Sequence, residues 1–103
     1  MTKKLKPIQI KEALKVLPDW EFEDDGFVKT FEFEDFDQAW EFMSKVAAAA
    51  KDADHHPEWT NVYNSVLIRL STHDAEGATK LDIALGKSIE SIYQAMPALD
   101  SDD

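Results

Sequence analysis

Three side chains of this sequence can give or take a proton near neutral pH, His55, His56 and His73, and there is no cysteine to supply a thiolate. Imidazole is the side chain whose ordinary titration falls in that range. Pro57 biases His56 toward extended backbone, and neighbouring side chains of an extended segment point to opposite sides. One core cannot therefore absorb both members of the pair. Such a set permits metal binding, with Asp54 or Asp82 as carboxylate ligands, or proton transfer. The spacing lacks the i, i+4 arrangement of a helical H-E-x-x-H site, so no metal is expected. A reaction in which a hydroxyl leaves as water while a nearby N–H loses its proton needs one acid and one base, and two imidazoles supply both. Asp82 can orient one of them or bind a substrate amine; it can equally be a first-turn acid favoured by the helix dipole. Trp20, just after Pro18-Asp19, can stack on a flat heterocycle or pack in the core. Lys51 reads as a helix-end cation.

Proton transfer requires the histidines to meet, and the hydrophobic pattern says how. Ile8, Ile10, Ala13, Leu14 and Leu17 predict a helix from Pro7 to Leu17, ended by Pro18. From Trp20 the period is two, broken by Asp24-Asp25-Gly26, then resumed by Phe27, Phe31 and Phe33, with Lys29 the exception on the aromatic face. Ala39, Trp40, Met43, Val46, Ala47 and Ala50 predict a helix from Phe36 to about Lys51, capped by Asp35 or Asp37. Trp59 to Tyr63 and Val66 to Ser71 form a second hairpin around an expected Asn64-Ser65 turn, and Leu81, Leu85, Ile89 and Met96 mark a last helix from about Ala78 to Met96. The His56 and His73 regions each lie about eight residues from that turn, so strand pairing brings them to one end of the sheet.

The order helix, two strands, helix, two strands, helix has no βαβ alternation. It predicts an α+β fold, a four-stranded antiparallel sheet with three helices packed on one face. With 103 residues, one domain over residues 1–99 is expected, followed by an acidic tail, Asp100 to Asp103. Eleven basic against 21 acidic residues give a net charge of −10, which disfavours nucleic acid and anionic membrane surfaces as partners. The basic N-terminus has no apolar run behind it, so a cytoplasmic location is expected.

The stretch DHHPEWTNVYN, followed by LSTH and then Asp82, closely resembles the signature of the pterin-4a-carbinolamine dehydratases. The likeness covers nearly the whole chain, including FEFEDF in the first hairpin. It implies dehydration of 4a-hydroxytetrahydropterin to quinonoid dihydropterin in tetrahydrobiopterin recycling, without metal or organic cofactor. It further implies that His55 and His73 act as the acid/base pair and that His56 binds the pterin. Ser71 and Thr72 would offer backbone hydrogen bonds to the ring, with Trp20 and Asp82 lining the pocket. A homodimer or homotetramer is implied, and some family members also serve as coactivators of a transcription factor; the small-residue face Ala47 to Ala50 and the apolar last helix are more readily assigned to self-association. Lys51 stands where relatives often carry an acid, which leaves Asp54 and Asp52 as candidate orienting carboxylates.

Overall fold

The computed structural model describes residues 2–97, so the acidic tail lies outside the described residues. Helix α1 (Pro7–Val16) starts with proline in its first turn, where the missing N–H costs nothing. Strands β1 (Glu21–Glu23) and β2 (Gly26–Glu32) follow, then α2 (Phe36–Ala53), β3 (Glu58–Val62), β4 (Ser65–Leu70), a short 3₁₀ turn (His73–Ala75) and α3 (Lys80–Gln94). The strands form one antiparallel sheet in the order β1-β2-β4-β3, with the later hairpin joined to the earlier one through β2 and β4.

One face of the sheet is apolar and the other wet, which places all three helices on one side. Phe27, Phe31, Val66, Ile68 and Leu70 point inward and are buried, whereas Thr30, Glu32, Thr60 and Leu67 on the opposite face are exposed. The core closes against Leu17, Phe42, Val46, Leu85 and Ile89 from the helices. Phe42 links the layers, with its ring centroid 5.0 Å from that of Phe31 and 4.8 Å from that of Phe33. Such aromatic pairs contribute about 0.5–1.5 kcal/mol each beyond area burial.

Both hairpin turns differ from expectation in who bends. In the first, Asp24 (φ 50°) and Asp25 (φ 62°) adopt the left-handed conformation and Gly26 opens β2. Aspartate tolerates that region, and the Arg69 guanidinium anchors the turn by donating to the carbonyls of Glu23 and Asp24. In the second, the bend is Tyr63-Asn64, one residue earlier than Asn64-Ser65, because Val62 pairs with Ser65. Asn64 ties that tip to the end of β2 through a pair of hydrogen bonds with Phe33.

Candidate active site

The histidine pair is placed by the end of α2. Asp54 adopts the left-handed conformation (φ 53°, ψ 42°), its N–H reaching Lys51, while the N–H of His55 bonds to the carbonyl of Ala50 at 3.0 Å. These two reversed bonds satisfy the last carbonyls of the helix and turn the chain sharply back. His55 is thereby directed at α3, and Pro57 leads into β3. On the neighbouring strand, β4 ends at Leu70, and Thr72 makes a backbone bridge to Gly77 in both directions, at 3.0 and 3.3 Å. The 3₁₀ turn carrying His73 is held inside that bridge.

Asp82 ties the two together. Its side chain is fully buried, and Oδ1 lies 2.6 Å from His55 Nε2. Oδ2 accepts from the Thr72 hydroxyl at 2.7 Å and from the Thr79 backbone N–H at 2.8 Å. The latter bond is half of a capping box, with Thr79 as N-cap and Asp82 at the third helical position. A carboxylate only accepts, so His55 Nε2 carries the hydrogen. Thr72 has a single hydroxyl hydrogen, spent on Asp82, so Thr79 donates its own to Thr72 across 2.7 Å. With Asp82 ionised, one direction thus follows for every bond in the network. His55 Nδ1, with no partner among the described residues, remains to meet a ligand; no fully buried side-chain nitrogen or oxygen there lacks a hydrogen bond.

His55, His56 and His73 line one cavity of about 330 Å³ with Ser71 and Thr72; Asp54, Asp74 and Leu81 complete it. The volume is at the small end of the range for small-molecule sites. His55 is mostly buried, at 11 % side-chain exposure, and His56 and His73 are exposed at the rim. Among the described residues no cluster of three potential ligands is arranged to hold a metal ion.

Three expectations need correction, and one residue was missed. Trp20 is not at this cavity: it is buried in the core, donating from Nε1 to Glu90 at 2.8 Å, because the apolar sheet face takes the indole and α3 supplies its acceptor. Asp82 does not line the pocket but stands behind His55; of the two roles open to it, it takes that of orienting an imidazole, in place of Asp54 and Asp52. The Thr72 backbone N–H and carbonyl are both engaged with Gly77 and are not left free for a ring. Thr79 was missed, although Thr79-Lys80-Leu81-Asp82 carries the capping-box pattern in plain view.

A cavity with three imidazoles, one of them backed by a buried carboxylate, on an α+β sheet with helices on one face, brings together the groups that acid/base chemistry needs. Comparison with known proteins agrees: the family described as Pterin 4 alpha carbinolamine dehydratase matches residues 3–92. The chain belongs to that family. A Prochlorococcus marinus protein provisionally named pterin-4-alpha-carbinolamine dehydratase is 49% identical over 82% of this chain and 88% of its own length. A Novosphingobium aromaticivorans protein of the same provisional name is 50% identical over 76% of this chain and 83% of its own. The crystal structure of a transcriptional coactivator/pterin dehydratase from Brucella melitensis superposes with a TM-score of 0.86 at 38% identity, covering 88% of this chain and 99% of that one. A pterin dehydratase-like RuBisCO assembly factor of the alpha-carboxysome shares the fold, with a TM-score of 0.61 at 17% identity over 72% of this chain and 86% of that one. Among the described residues no helix is long and apolar enough to cross a membrane.

Proposed function

We propose that this chain dehydrates 4a-hydroxytetrahydropterins by histidine acid/base catalysis, returning the pterin to the quinonoid dihydro form in a tetrahydropterin recycling sequence. The substrate carries a hydroxyl on C4a and a hydrogen on the adjacent N5. One imidazole protonates the hydroxyl as the C4a–O bond breaks and water leaves. The other takes the N5 proton, whose bonding electrons form the C4a=N5 double bond. Substrate equals product plus water, and the two protonated states of the histidines exchange through solvent afterwards.

The observation that carries this reading is the Asp82–His55 hydrogen bond at 2.6 Å, facing a cavity that also holds His73. A carboxylate on Nε2–H leaves Nδ1 as the basic atom and stabilises the imidazolium that forms when it accepts a proton. His55 is therefore the base toward N5, and His73, across the cavity, the acid toward the hydroxyl. Each such group is typically worth about 10²–10⁴ in rate. The test follows the absorbance of freshly generated 4a-hydroxytetrahydropterin after addition of the protein. The decay accelerates with the native chain and returns to near the uncatalysed rate with His55→Ala plus His73→Ala. An unchanged rate in the double variant overturns the assignment.

A further inference from the structure

A second cavity, of about 320 Å³, lies against the first and shares His56 as its wall. Its other sides are Ala47, Ala50 and Lys51 from the end of α2, then Pro57 and Trp59 leading into and along β3. Alone, each cavity stands at the lower limit of a small-molecule site; joined across one imidazole, they suit a ligand with a ring and a chain.

The charges of the two halves differ. The histidine cavity carries the carboxylates of Asp54 and Asp74, while the second has Lys51 as its lysine and is otherwise made of alanine, proline, an indole and the shared imidazole. Lys51 is exposed and has no carboxylate within ion-pair distance among the described residues. In a chain of net charge −10, an unpaired cation at the mouth of an apolar slot makes one place beside the site where negative charge is welcome. A neutral ring bearing an anionic tail can then sit only one way round.

Resting on the dehydratase reading, we infer that this second cavity receives the substituent of the pterin ring and selects one that ends in an anion, a carboxylate or a phosphate. The alkyl part of the chain packs on Trp59 and Ala47, His56 marks the junction of ring and chain, and Lys51 pairs with the terminal charge.

Binding is measured by fluorescence with three 7,8-dihydropterins carrying the same short alkyl chain, ended by a carboxylate, by its methyl ester or by a phosphate. The native chain binds the two anions about fivefold more tightly than the ester, the scale of one exposed ion pair. Lys51→Glu inverts the preference, Lys51→Arg keeps it, and 0.5 M salt narrows it. Trp59→Ala weakens all three alike. Which anion gains more tells carboxylate from phosphate. Equal affinity for acid and ester in the native chain, or a preference that Lys51→Glu leaves intact, overturns the inference. Failure of all three to bind instead strikes at the dehydratase reading on which it rests.

Discussion

Helix α3 buries two carboxylates, and they are put to opposite use. Asp82 near its start and Glu90 two turns later are both nearly inaccessible, at 0% and 7% exposure. Glu90 receives Lys29 at 2.5 Å and the Trp20 indole at 2.8 Å, and Lys29 also donates to the Pro18 carbonyl and lies 4.7 Å from the centre of the Phe31 ring. The side chains of that group are nearly closed off from solvent, and its two charges answer each other. Asp82 is answered as fully, but one of its partners, His55, lines the cavity and has a second nitrogen with no partner among the described residues. The same expedient, a buried acid on α3 saturated with donors, holds the hairpin to the helix in one place and fixes an imidazole at the cavity in the other. What distinguishes them is the last partner in the chain of bonds: a side chain with nothing left to offer, or one with an open position.

That contrast can be broken from either end. The largest effect is expected from His55→Ala, which lowers kcat/KM by about 10²–10⁴ in the absorbance assay while circular dichroism still shows the native fold. Next is Lys29→Met, which leaves Glu90 buried without its cation. Breaking a buried pair from one side costs about 3–5 kcal/mol, read as a fall in the urea midpoint, and the turnover of the folded fraction stays at the native level. Asp82→Asn belongs between the two behaviours. Its amide NH₂ must face a donor whichever way it turns, since His55, Thr72 and Thr79 all donate to it; a loss of about 10² in rate is expected from the wrong tautomer, accompanied by lower stability. Thr72→Val removes one donor from Asp82 and the acceptor of the Thr79 hydroxyl, for about 1–3 kcal/mol in thermal unfolding and a rate change smaller than that of Asp82→Asn.

The smallest effect concerns Tyr93, whose phenol is pushed above the ordinary 10.0 by burial first, then by Glu90, Glu32 and Asp19. The folded chain thus holds this proton more tightly than the unfolded one. The stabilisation is complete below pH 10 and is lost as pH rises through the folded value. Tyr93→Phe should therefore flatten the alkaline end of the stability profile and leave the neutral region nearly unchanged, as denaturant midpoints measured across that range will show.

The histidine convergence was legible because a hairpin is a counting device: once the turn is placed within a residue, the partners of His55-His56 across the sheet follow. That Tyr63-Asn64 bends instead of Asn64-Ser65 moved the register without separating the groups. The helices were legible from their apolar stripes, although α3 starts two residues later than its apolar pattern suggests because Thr79 caps it. Lys29 could be singled out as a cation on an aromatic face, yet its partner is 61 residues away, and no local pattern names a partner at that range. Trp20 misled for the same reason: a tryptophan at a strand mouth carries no mark of which side of the sheet its indole will take. The 3₁₀ turn at His73–Ala75 lacks any periodic signal at three residues, so only the Thr72–Gly77 bridge that closes around it explains it.

The capping box has a consequence for biosynthesis. Asp82 uses the oxygen that starts its own helix to receive Thr72 as well, and its other oxygen to fix His55. All three histidines leave the ribosome before α3 does, but the His55 imidazole lacks its Asp82 partner until the first turn of α3 has wound. The nascent chain therefore carries its histidines unoriented, and their arrangement arrives only with α3.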